Sequence, residues 1–163
     1  MDTAAYYQSP IGILKITAKD ASVRSITFAE KAEEQAKSRL PRAIRKCIKQ
    51  LDEYFAGKRI TFSFPYQYEG SEFQQKVWSE LEKIPFGKTI SYKQLALQLG
   101  DEKVIRAAGT ANGKNPIAIV VPCHRVIGSD GKLVGYAGGL WRKQWLLEHE
   151  QKLSGTQQPS LFG

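Results

Sequence analysis

Cysteine is scarce in this chain: Cys47 and Cys123 are the only two among 163 residues, too few for a disulfide framework. Histidine is as scarce. His124 adjoins Cys123 and His149 is distant in sequence, so the close ligand pairs of a zinc site are missing and no metal centre is expected. No apolar run reaches the length of a membrane span. The opening MDTAAYYQSP lacks the basic and apolar regions of a secretory leader. Together these absences argue against a stapled secreted miniprotein and a membrane protein. They lead to the expectation of a cytoplasmic protein with reduced thiols.

The composition, 42% hydrophobic and 25% charged, supplies enough apolar surface for one domain, or two small ones, to hold a core without staples. The formal charge of +8 fits a polyanionic partner, because neutralising phosphates releases condensed counterions. A basic surface that only aids solubility fits equally well, and charge alone does not separate the two.

Along the chain, IGILKITA and VRSITF alternate about the turn KDAS and predict an antiparallel pair. PRAIRKCIKQLDEYFAGK predicts a helix with Pro41 in its first turn and Gly57 at its stop. Ile44, Cys47, Ile48, Leu51 and Phe55 share one face of it, which makes Cys47 a core residue. ITFSF at 60–64 alternates as a further strand, and PYQYEG reads as a junction. SEFQ and SYKQ are capping boxes that open helices at Ser71 and Ser91. A short helix ending at Gly100 and a second begun by EKVIRAAGTANGKN suggest a helix-turn-helix, although many helical hairpins bind nothing. After Arg106 the second helix carries Ala107, Ala108, Gly109, Thr110, Ala111 and Asn112, nearly all small. Such a surface suits close approach to a neighbouring helix or to a nucleic-acid groove.

VVPCHRVIG, at 120–128, brings chemistry together. An apolar stretch, read as a strand, ends at Pro122, and Cys123, His124 and Arg125 follow. A lone cysteine is commonly an inert buried thiol. His124 and Arg125 are poor company for a dry core, however. A thiolate forms near neutral pH only with help from a cation, a hydrogen-bonded base or a helix N-terminus. His124 can serve as that base, and Glu150 in WLLEHE can orient it.

PCHRVIG resembles the active-site motif of the O6-alkylguanine-DNA alkyltransferases, the methylated-DNA–protein-cysteine methyltransferases. FQQKVW at 73–78, SYKQLA around Tyr92, RAAGTANGKNP around Arg106 and GYAGGLWRKQWLLEHE at 135–150 stand in that family's order and approximate spacing. The resemblance implies an α+β fold with an N-terminal mixed α/β subdomain at 1–68, a small ribonuclease H-like antiparallel sheet. A helical subdomain with a winged helix-turn-helix follows at 69–151, and a polar tail at 152–163. It implies a monomer that needs no cofactor and acts on double-stranded DNA carrying O6-alkylguanine, with O4-alkylthymine as a second candidate lesion.

Residue by residue, the resemblance makes Cys123 the nucleophile and His124 the base that takes the thiol proton through a water. Glu150 orients the imidazole. Tyr92, Lys143 and the backbone N–H of Ala137 meet the leaving guanine. Pro122, Val126, Tyr136 and Ala137 line its pocket, and the carbonyls of Cys123 and Val126 read the exocyclic amine. Arg106 enters the base stack, Tyr92 pushes the 3′ phosphate, and Ala107, Gly109, Ala111 and Asn112 present the small surface that a minor groove requires. Asn115 is the hinge beside the cysteine loop, and Arg125 is expected to be an anchor.

Many relatives carry serine at the position of Ala137. The zinc site that some hold near the N-terminus is not expected, because no cysteine or histidine precedes Cys47. QPSLF, Gln158 to Phe162, resembles the bacterial sliding-clamp-binding peptide, and chance or self-docking explains it as readily. The rival readings are a lesion-binding relative without a reactive cysteine, a regulator with Cys123 as sensor, and a thiol hydrolase. Cys123 itself stands against the first.

Overall fold

The computed structural model describes residues 3–33 and 39–155, so QPSLF lies outside the described residues. The chain forms two compact units, Met1–Glu69 with Pro116–Val120, and Gly70–Asn115 with Val121–Gly163. A single cut near residue 68 does not express the return of Pro116–Val120 to the first unit.

The first unit is a three-stranded antiparallel sheet, β1 (Thr3–Ser9), β2 (Gly12–Lys19) and β3 (Ser22–Ala29), in that order, with helix α1 (Arg42–Phe55). Strand β1 is not legible as alternation, since TAAYYQS offers small and amphipathic residues in place of branched ones. The β2–β3 turn places Asp20 and Ala21 at φ 51° and 66°, as a two-residue hairpin with right-handed twist requires. Leu14, Ile16, Val23 and Ile26 from the sheet and Ile44, Cys47, Leu51 and Tyr54 from α1 are wholly buried. Each large aliphatic side chain there contributes about 1.5–3 kcal/mol.

Two expected strands do not form. At 60–64 there is no ladder. Gln50 of α1 instead accepts from the Ser63 N–H at 2.8 Å and donates to its hydroxyl at 2.8 Å, and Arg59 bonds the Thr61 carbonyl. The backbone is satisfied by side chains, which leaves period-two alternation without a strand. The apolar run before Pro122 is likewise a series of turns. Ile117 makes one parallel bridge to Ile26, and Val120 N–H then reaches back to Ala118 at 2.8 Å around Ile119, at φ 73°. A β-branched residue in that region stores about 1–3 kcal/mol of strain.

The second unit is helical. Helices α2 (Glu72–Leu81) and α3 (Tyr92–Gln98) both open with complete capping boxes, at Ser71/Gln74 and Ser91/Gln94. A turn at 102–104 leads into α4 (Ile105–Gly113), and α5 (Leu140–Ser154) closes the unit. Two-residue strands β4 (Ile90–Ser91) and β5 (Val126–Ile127) pair in parallel and fix the start of α3 beside the residues after Cys123. Trp78, nearly buried, donates from its indole to the Ala111 carbonyl at 2.9 Å and ties α2 to α4. Its ring leaves no room at Gly70, where a Cβ would lie 2.7 Å from it. No helix of the described residues is long and apolar enough to cross a membrane.

Candidate active site

Cys123 opens a one-turn 3-10 helix, Cys123–Arg125, which an inverse γ-turn at Pro122 sets up. The Cys123 N–H reaches back to Val121 at 2.8 Å, and Pro122 sits at φ −84°, ψ 65°. The proline therefore turns the chain rather than ending a strand. Cys123 lines a cavity of about 530 Å³ with Tyr92, Arg106, Gly109, Asn112 and Tyr136, among others.

Next to the thiol lies a buried charge cluster. His124 Nε2 is 2.7 Å from Glu150 Oε2, and both side chains are buried. Arg125 holds the same carboxylate with two donors, Nε to Oε1 at 2.7 Å and Nη2 to Oε2 at 3.1 Å. Its Nη1 reaches the Ile84 carbonyl at 2.6 Å. Burial pushes the Glu150 carboxyl up, but the charges and hydrogen bonds of His124 and Arg125 outweigh it and hold the group well below the usual carboxylate range. Burial lowers the His124 pKa; Glu150 opposes this, and Arg125 and Lys143 add to it. Burial thus favours the neutral imidazole over the cation that Glu150 favours. Since an ionised carboxylate only accepts, in the neutral form the ring proton sits on Nε2 and Nδ1 carries the lone pair. His124 Nδ1 is buried with no hydrogen-bond partner among the described residues. Arg125 is an anchor in a specific sense: it compensates the buried carboxylate to which His124 is hydrogen-bonded.

Burial also raises the Cys123 pKa, with Asn115 and the charge of Lys143 opposing, so the resting group is a thiol. Asn115 donates to the Val121 carbonyl at 2.6 Å and braces the turn before the cysteine. Lys143 is fully buried, and burial brings its pKa down to about 8. Its Nζ donates to the carbonyls of Val134 at 2.8 Å and Gly135 at 3.2 Å. The Tyr92 hydroxyl donates to that same Val134 carbonyl at 3.0 Å, and burial raises its pKa, so it remains a donor. One loop carbonyl therefore occupies both side-chain donors expected to face a leaving group.

The residues expected along the DNA-facing helix divide. Arg106 and Ala107 are exposed and Gly109 is half-buried on the cavity wall. Ala111 and Asn112 turn inward, because with Ala108 they occupy i, i+3 and i+4 of one helical face. Asn112 belongs to the cavity wall: its Nδ2 donates to the Cys123 carbonyl at 3.3 Å. That carbonyl also accepts from the Val126 N–H, so both of its lone pairs are engaged. Ala137 and Tyr136 line the cavity, whereas Pro122 and Val126 are buried close to Cys123 in the chain. His149 stacks on Trp145 with ring centroids 4.8 Å apart. Among the described residues no group of three or more His, Cys, Asp or Glu side chains could hold a metal ion.

The pairing of Arg125 with Glu150 and the roles of Val134 and Asn112 do not follow from sequence patterns. Only the first leaves a signal there, since a cation flanked by buried residues calls for a carboxylate.

Residues 72–152 match the family described as 6-O-methylguanine DNA methyltransferase, DNA binding domain. Residues 3–68 match 6-O-methylguanine DNA methyltransferase, ribonuclease-like domain. The chain is 46% identical over 149 residues to a methylated-DNA–protein-cysteine methyltransferase of Mycolicibacterium paratuberculosis, covering 90% of each chain. It is 40% identical to the protein of that name from Methanosarcina barkeri, covering 88% of this chain and 94% of the relative. Among solved structures it resembles the Mycobacterium tuberculosis O6-methylguanine methyltransferase, with TM-score 0.83, 41% identity and coverage of 93% and 94%. It also resembles the M. tuberculosis protein in complex with DNA, with TM-score 0.82, 42% identity and coverage of 91% and 92%. The chain belongs to the 6-O-methylguanine DNA methyltransferase family.

Proposed function

We propose that this protein repairs DNA by moving an alkyl group from O6 of guanine to its own Cys123, once and irreversibly. The observation that carries the reading is a thiol on a cavity wall whose chain neighbour His124 is hydrogen-bonded to a buried, Arg125-compensated Glu150.

The alkylated oxygen cannot meet a protein sulfur within a duplex, so the base must leave the stack. Arg106, exposed at the start of α4, fills the gap it leaves. Ala107 and Gly109 present the small surface that a narrow groove requires. In the cavity, His124 Nδ1 takes the thiol proton through a water and becomes the imidazolium that Glu150 stabilises. The Cys123 Sγ–C bond forms as the C–O6 bond breaks, and its electron pair leaves with guanine. Tyr92 protonates that anion, Lys143 offsets its charge, and the Ala137 N–H adds a donor. Tyr92 and Lys143 must first exchange Val134 for the base. Val126 reads the exocyclic amine with a carbonyl. Cys123 does so only by giving up Asn112 or Val126.

The product thioether resists hydrolysis, so turnover stops after one event. Duplex carrying a radiolabelled O6-methylguanine should transfer at most one equivalent of label per protein molecule, however large the excess of DNA. Continued release of label to solvent would rule out the transfer. The same chemistry extends to O4-alkylthymine.

The protein acts as a monomer in the reducing cytoplasm, which suits its two free thiols. Gln158 to Phe162 contact a sliding clamp, and deletion of 158–163 should abolish capture by purified clamp; unchanged capture removes that contact from the proposal.

A further inference from the structure

Helix α1 carries its charges in the order that its dipole disfavours. Arg42, Arg45, Lys46 and Lys49 fill its first two turns, with no acidic residue in the first turn and no side-chain cap. Its acids, Asp52 and Glu53, come at the end, and each is engaged: Asp52 accepts from Tyr7 at 3.1 Å and Glu53 pairs with Arg59 at 3.1 Å. Cations at a helix N-terminus and acids at its C-terminus oppose the macrodipole. Arg42/Lys46 and Arg45/Lys49 are also like-charged i,i+4 pairs, which weaken a helix.

These four cations form one stripe. Their spacing, i, i+3, i+4 and i+7, places them opposite Ile44, Cys47, Leu51 and Tyr54, which face the core. Arg42, Arg45 and Lys49 are exposed, and Lys46 is half-buried with Nζ 3.5 Å from the Ser63 carbonyl. Among the described residues no carboxylate pairs with any of the four. Arg45 Nε donates to the Leu40 carbonyl at 3.1 Å, but neutral carbonyls do not offset the charges, and local rules broken by an uncompensated stripe mark a functional surface.

We propose that this face of α1 binds the phosphate backbone of double-stranded DNA, giving the first unit a nucleic-acid contact of its own in addition to the helix-turn-helix. The stripe runs roughly 10 Å along the helix, about three phosphate steps of one strand. An anionic membrane is the poorer match, because a membrane-lying helix turns its apolar face to lipid and that of α1 is spent on the core. The choice of DNA rests on the alkyl-transfer reading.

The test replaces Arg42, Arg45, Lys46 and Lys49 by Gln in the full chain and titrates undamaged duplex against salt. Each phosphate that is no longer neutralised should reduce the slope of log affinity on log salt by about 0.9, so a fall of roughly 2–3.5 and at least tenfold weaker binding at low salt are expected. Relief of repulsion offsets the carbonyl hydrogen bonds that Arg45 and Lys46 lose, so the variant should stay folded at the assay temperature, as a thermal melt checks. A variant with Arg42→Lys and Arg45→Lys should keep the wild-type slope. Single-turnover transfer at saturating lesion duplex should be unchanged, since α1 contributes nothing to the cavity. Failure of the wild-type protein to transfer at all would count against the repair reading and leave the slope to be judged by itself. An unchanged slope overturns the proposal. So does a variant whose only loss is binding to phosphatidylserine vesicles.

Discussion

Cys47 and Cys123 are both buried, yet only one has chemistry within reach. Cys47 is fully enclosed on the core face of α1, and burial alone pushes its thiol up to about 12. Cys123 is also pushed up by burial, but Asn115 and Lys143 oppose that shift, a cavity opens beside it, and its neighbour is a hydrogen-bonded base. Burial makes a thiol hard to ionise in either place. What separates them is room for an electrophile beside Cys123 and, in the proposed reaction, a neighbouring base for its proton.

The sharpest break in this comparison comes from exchanging the cysteines' fates. Cys123→Ala should abolish alkyl transfer while keeping duplex binding, as measured by label transfer and fluorescence anisotropy. Cys47→Ala should leave the transfer rate unchanged and cost about 0.5–3 kcal/mol of stability in a urea melt. A slow rate in the Cys47 variant, after correction for the unfolded fraction, would erase the distinction.

Removing the proton route comes next. Glu150→Gln should slow transfer by roughly 10²–10⁴-fold, measured in a single turnover. It should also cost about 3–5 kcal/mol, because Arg125 loses its buried partner. Arg125→Lys keeps the charge but loses the two-pronged hold on Glu150, and its loss of rate should be smaller.

The pH dependence sharpens the electrostatics. The transfer rate should fall as pH rises through about 8, where Lys143 loses the charge that the proposed reaction uses to offset the leaving base. Lys143→Met should be slower overall and should lack that alkaline limb in a stopped-flow pH series. The acid limb should lie below the usual imidazole range, since the His124 pKa is lowered. Stability rises with pH for both buried charges, in two separate ranges. Glu150 has a depressed pKa, so its contribution is present above the unfolded carboxylate value and is lost as pH falls towards its folded value. Lys143, lowered to about 8 from 10.5, binds its proton more weakly when folded, so its penalty is relieved as pH rises between those values. Asn112→Ala is the mildest change. It frees one hydrogen bond at the Cys123 carbonyl and should alter the rate by about tenfold or less.

Much of this is legible in the residues. The two capping boxes, the Gly100 stop and the Ile44, Cys47 and Leu51 part of the apolar face of α1 follow from local rules that the fold obeys, while Tyr54 rather than Ile48 or Phe55 completes the buried face. Cys123, His124 and Glu150 stand out together because a thiol with a base and a carboxylate is a recognisable chemical set. Sequence patterns fail where long-range bonding decides. Gln50 satisfies the backbone at Ser63, so 60–64 alternates without pairing, and Ile119 turns the chain where apolar residues suggest a strand. The burial of Asn112 depends on which face α4 turns inward, and no single residue type announces that.

The most direct measurement is a peptide map by mass spectrometry after the protein meets an equimolar duplex containing one O6-methylguanine. One methyl group on the peptide holding Cys123, with the Cys47 peptide unmodified, is the predicted result. A methyl group on Cys47, or lesion binding with no gain in mass, would contradict the assignment of Cys123 as the acceptor.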